Sequence, residues 1–108
     1  MRNRKAVEVT DDCILCCPIC SSENVHHGDI EVFNRSEDDP ECLYTYVGNG
    51  KACTRIADNA DNPSVRRHGL RIRLWCEMCE DYSALTIEQH KGSTFIRAED
   101  RWRGSRYS

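Results

Sequence analysis

Cys17-Pro18-Ile19-Cys20 and Cys76-Glu77-Met78-Cys79 decide how this chain reads. Two residues between the cysteines let the backbone turn so tightly that both thiols, and some of the amides, converge on one point. Two such turns supply four thiolates, the tetrahedral set of soft donors that Zn²⁺ takes when its role is structural. Four sulfurs also fill the coordination sphere and leave no position for a catalytic water.

Working outward, Cys13-Ile14-Leu15-Cys16-Cys17-Pro18-Ile19-Cys20 offers two overlapping CxxC registers. The second is favoured, because Pro18 fixes φ within the turn and Ser21-Ser22-Glu23-Asn24 carries hydroxyls and an amide suited to closing it. Before it, residues 1–12 read as a loose arm or a short edge strand. After it, residues 25–33 form a strand with Ile30 and Val32 on one face and Asp29 and Glu31 on the other. Ahead of the second turn, Leu70-Arg71-Ile72-Arg73-Leu74-Trp75 has the clearest period-two alternation in the chain and predicts a strand over 69–75. Strands over 81–89 and 93–98 follow, joined by a turn at His90-Lys91-Gly92-Ser93. Residues 34–64 read as a long insertion between the two metal-binding halves. It has polar loops at both ends and a hairpin through 42–47 and 52–56 that turns at Gly48-Asn49-Gly50. Residues 99–108 read as a polar tail.

At 108 residues, 39% of them apolar, and with a clearly negative mean hydropathy, the chain makes one small domain with a thin core that a metal crosslink would offset. It contains no apolar run long enough to cross a membrane. Its first residues lead into polar sequence and not into an apolar signal segment, so a cytoplasmic location is expected. In that compartment the eight cysteines stay reduced and serve metal ligation before disulfides. Charge is uneven. Residues 23–62 carry nine acidic groups against three basic, and residues 63–108 carry nine basic against six acidic.

The order turn, strand, insertion, strand, turn, hairpin resembles that of the zinc ribbons. The resemblance rests on Cys17-Pro-Ile-Cys20-Ser-Ser-Glu-Asn-Val25 and on Leu70-Arg-Ile-Arg-Leu-Trp-Cys76-Glu-Met-Cys79 with the hairpin after it, about half the chain. Leu85-Thr-Ile-Glu-Gln-His-Lys-Gly-Ser-Thr94 is similar to small uncharacterised zinc-ribbon proteins of actinobacteria and their phages. The resemblance implies a small mostly-β, metal-stabilised domain with an antiparallel sheet. It also implies a setting where such domains touch nucleic acid or a large protein partner. The long insertion, with cysteines of its own, departs from the family pattern.

The chemistry expected is binding without catalysis. A zinc deaminase needs a His-x-Glu element, which none of His26, His27, His68 and His90 begins, and no glycine loop cradles a phosphate. One Zn²⁺ is expected on Cys17, Cys20, Cys76 and Cys79. Cys13, Cys16, Cys42 and Cys53 are left over, either as a second zinc site or as buried or redox-spare thiols. Arg66, Arg67, Arg71, Arg73 and Lys91, with Trp75 on the strand face of Arg71 and Arg73, combine cations with an aromatic ring as a nucleic-acid surface does. The alternative partner is a protein, met by the acidic stretch 37–41 and the Tyr44/Tyr46 hairpin. Neither a small-molecule substrate nor a membrane is expected.

Overall fold

Period-two alternation sets the strands. The computed structural model, which describes residues 4–102, contains β1 (Arg4–Ala6), β2 (Val25–Asn34), β3 (Glu41–Gly48), β4 (Lys51–Asp58), β5 (Gly69–Cys76), β6 (Tyr82–His90) and β7 (Ser93–Glu99). They pair antiparallel into one sheet of order β1-β7-β6-β5-β2-β3-β4. The hairpin inside the insertion therefore lengthens the sheet beyond β2. Its two-residue loop, Asn49-Gly50, has φ of 53° and 73°, the two left-handed residues whose twist matches a hairpin. No helix among the described residues is long and apolar enough to cross a membrane.

The registers sort the side chains into two unlike faces. One carries Glu31, Phe33, Tyr44, Tyr46, Arg71, Thr86, Glu88 and Glu99. Phe33, Cys42, Tyr44 and Ala57 form a buried apolar cluster there, with Tyr46 against it. The segment 59–68 crosses this face. Arg71 Nη2 donates to the Asp61 carbonyl at 3.0 Å, Arg4 Nη2 to the Pro63 carbonyl at 2.9 Å and the Ser64 hydroxyl to the Gln89 carbonyl at 2.7 Å. It lies close enough that a Cβ on Gly69 would fall 2.1 Å from Asn62 Oδ1.

The other face is apolar. Cross-strand neighbours align Ile96, Ile87, Leu70 and Val32 in one row and Ala98, Leu85, Ile72, Ile30 and Val47 in the next. Among the described residues only the end beside the cysteines is covered: Leu74, Ser83 and Ala98 are buried, and the Lys5 ammonium donates to the Pro18 carbonyl across that corner. Elsewhere this face is half-buried or exposed, with Ile96 at 56% and Val47 at 44%. The covered face is thus the charged one, which corrects the expectation that Arg71, Arg73 and Trp75 all face outward. Arg71 is buried because Glu31 at 3.1 Å and Glu99 at 3.2 Å neutralise it, and a paired, hydrogen-bonded guanidinium tolerates burial that a bare one does not.

Candidate metal centre and its surroundings

The two CxxC turns are built alike. Ser21 N–H donates to the Cys17 carbonyl at 2.9 Å and Glu80 N–H to the Cys76 carbonyl at 3.0 Å; Cys17 N–H reaches the Ser22 carbonyl and Cys76 N–H the Asp81 carbonyl. The residue after each second cysteine takes a left-handed conformation, Ser21 at φ 66° and Glu80 at 54°. One turn precedes β2 and the other joins β5 to β6. Pairing of Val25 with Cys76 and a Glu77 N–H bond to the Asn24 carbonyl bring the turns together.

The four sulfurs lie within 4.8 Å of one another, with Cys17–Cys79 at 3.8 Å and Cys20–Cys76 at 3.5 Å. A tetrahedral ion with metal–sulfur bonds of about 2.3 Å separates its sulfurs by about 3.8 Å, so the set fits such an ion. Ile19 N–H donates to Cys17 Sγ at 3.3 Å. At Cys76 the amides of Cys79 and Met78 pull the thiol down to about 6, while burial and the neighbouring thiols push Cys79 up to about 12. The amide dipoles thus favour a thiolate at Cys76, whereas burial and the neighbouring thiols keep the proton on Cys79 until a cation compensates the charge.

Among the described residues this is the only group of three or more His, Cys, Asp or Glu able to hold a metal. Cys13, Cys16, Cys42 and Cys53 are not brought together. Cys42 belongs to the core cluster, where burial pushes its thiol up, and Cys53 lies exposed on β4. A second metal site therefore finds no support in the geometry.

The basic residues are divided between the two ends of the sheet. Arg66 pairs with Asp38 at 2.8 Å and Glu37 at 3.2 Å, and Arg67 with Glu37 at 2.9 Å. Lys91 is exposed at the β6–β7 turn, the far end of β6 from the cysteines. Arg73 and Trp75 sit at the cysteine end. There the Trp75 and Tyr82 rings lie 5.0 Å apart, Arg73 stands 5.0 Å over the Tyr82 ring and pairs with Asp29 at 3.5 Å, and His26, His27 and Gly28 complete a shallow hollow of about 380 Å³. The sequence places Tyr82 and the two histidines within strands and does not join them to this basic surface. Their register opposite Trp75 and Leu74 was the signal that places them there.

Of the expected acidic surface, Glu37, Asp38, Asp39 and Glu41 are exposed, whereas the Tyr44/Tyr46 part is corrected. Tyr44 is fully buried, with its hydroxyl donating to Glu31 at 2.7 Å; Tyr46 donates to Asp29; and Glu37 and Asp38 are engaged by Arg66 and Arg67. Comparison of the chain with family models, curated proteins and solved structures finds no match.

Proposed function

We propose that the chain is a non-catalytic zinc ribbon whose working surface is the apolar face of its sheet, and that it serves as a protein-interaction module. In this reading Cys17, Cys20, Cys76 and Cys79 hold one Zn²⁺, which supplies a crosslink between the start of β2 and the β5–β6 turn and no chemistry of its own. The observation that carries it is the inversion of the two faces. The charged face is covered by the chain's own loop, and two rows of large apolar side chains are left open. An open apolar area spanning several strands is what association surfaces look like, and scattered single side chains are not.

A second reading keeps nucleic acid as the partner. It is favoured by the hollow at the cysteine end, where Arg73, Trp75 and Tyr82 offer a cation beside stacked rings. Arg71 no longer belongs to that surface, and Arg66 and Arg67 are already compensated by carboxylates. Titrating the zinc-loaded protein into labelled single- and double-stranded DNA and RNA at several salt concentrations separates the readings. The interaction-module reading expects no salt-sensitive binding. Binding that falls steeply with salt and is lost in an Arg73→Ala/Trp75→Ala variant would replace it with the second reading.

A further inference from the structure

Where the segment 59–68 meets β6 and β7, at the end of the sheet away from the cysteines, it closes a pocket of about 260 Å³. Arg4 fastens this corner. Its guanidinium donates to the Pro63 carbonyl at 2.9 Å and to Glu88 at 2.8 Å, and the Ser64 hydroxyl donates to the Gln89 carbonyl at 2.7 Å. Two kinds of wall meet there. Val65 and Phe95 are apolar and open to solvent, at 73% and 38% exposure. Beside them, the Glu88 side chain is only 6% exposed and both its oxygens are engaged, one by Arg4 and the other by the Thr86 hydroxyl at 3.1 Å. Arg97 comes no nearer to Glu88 than 3.8 Å, outside hydrogen-bonding range, and lies over the Phe95 ring at 4.9 Å with its own side chain 39% exposed. His90 stacks on the same ring, with centroids 6.0 Å apart. Among the residues lining the pocket, one carboxylate faces two guanidinium groups, a surplus of one positive charge.

We propose that this pocket binds a carboxylate carried on an apolar body, with the carboxylate on Arg97 and the apolar part against Phe95 and Val65. The proposal is independent of the apolar face, which lies on the other side of the sheet. One surplus cation matches one negative charge, whereas a polyanion such as a nucleic-acid backbone is met by several cations along its length. A guanidinium presents parallel N–H donors in the geometry a carboxylate accepts. Because the Phe95 ring already supports its plane, Arg97 loses little freedom on binding. Glu88, buried and with both oxygens engaged, offers nothing to a cationic ligand. A volume of about 260 Å³ lies just below the range of drug-sized sites. It suits one group the size of a side chain: an aryl or branched-alkyl acid, or the last residue of a peptide with its free carboxylate. These two sources share one chemistry.

Titration of the zinc-loaded, nitrogen-15-labelled protein with phenylacetate, its neutral isostere phenylacetamide and inorganic phosphate, followed in amide correlation spectra, tests this. Phenylacetate is expected to give saturable shifts at residues 64–65, 88–90 and 95–97, and the other two probes are not. Arg97→Gln should weaken phenylacetate binding about tenfold, the magnitude of one charge-assisted hydrogen bond. Val65→Ser should weaken it severalfold, and this substitution at an exposed loop position keeps the test valid if Arg97→Gln fails to fold. Arg73→Gln, at the cysteine end, should leave it unchanged. A tripeptide ending in leucine separates the two sources. Binding tighter than that of phenylacetate, and lost when the peptide is amidated, assigns the pocket to a chain end; binding weaker than that of phenylacetate assigns it to small acids. The absence of saturable shifts at those residues overturns the proposal. So does phenylacetamide or phosphate binding as tightly as phenylacetate, or wild-type affinity in both pocket variants.

Discussion

Arg71 carries the inversion of the sheet. Its guanidinium is 2% exposed between Glu31 and Glu99 and donates to a loop carbonyl, so its removal leaves two carboxylates in a place built for a cation. Arg71→Ala is expected to lower stability by about 3–5 kcal/mol in urea denaturation, the usual consequence of breaking a buried pair from one side. Arg73→Ala, from a side chain about one-third exposed, is expected to cost about 1 kcal/mol or less. Equal losses at the two positions would contradict the burial difference. Tyr46 gives the pH dependence. The hydrogen bond from its hydroxyl to the Asp29 carboxylate, helped by burial, pushes the phenol up to about 12, against about 10 in an unfolded chain. Between those values the unfolded state has lost the proton and the folded state has kept it. The contribution is therefore complete below about pH 10 and disappears as pH approaches 12. Tyr46→Phe should flatten the fall in stability over that window relative to the wild-type protein, and an unchanged alkaline limb would rule out this link.

At the scale of elements, the two CxxC turns repeat each other bond for bond, although one precedes a strand and the other joins two. Each holds its first cysteine by an N–H to a carbonyl five residues on, and each leaves through a left-handed residue. They are separated by more than fifty residues, and their approach depends on β2 lying beside β5. A metal held by these sulfurs would therefore bind in one equilibrium with sheet formation, because the sulfurs converge only when the strands pair. Strong chelation of the loaded protein should abolish most of the β signal in circular dichroism, and Cys76→Ser should do the same. A metal-free chain with an intact cooperative melt would show that the core around Phe33 and Tyr44 suffices alone.

For the whole molecule, the covered face has little apolar volume. Its cluster is Phe33, Cys42, Tyr44 and Ala57, with a row of ion pairs beside it, whereas most of the leucine, isoleucine and valine of the strands lies on the opposite side. A domain arranged in this way gains from each further layer it acquires.

Strand positions, the β3–β4 hairpin with its Asn-Gly turn and the choice of Cys17 over Cys13 were all legible in the sequence. Each depends on local rules: period-two alternation, left-handed turn residues, and proline inside a CxxC turn. Which face of the sheet would be covered was not legible. Alternation in 70–75 separates leucine and isoleucine from arginine, but it cannot say that Glu31 and Glu99, forty residues upstream and twenty-eight downstream of Arg71, will neutralise that arginine under a loop. Nor can it say that Arg66 and Arg67 will spend their charge on Glu37 and Asp38. Spacing along the chain determined the strands and the two CxxC turns, since both are set by geometry within a few residues. Burial of charge is decided by partners distant in sequence, and only the packed sheet, with the segment 59–68 lying across it, brings those partners within hydrogen-bonding distance.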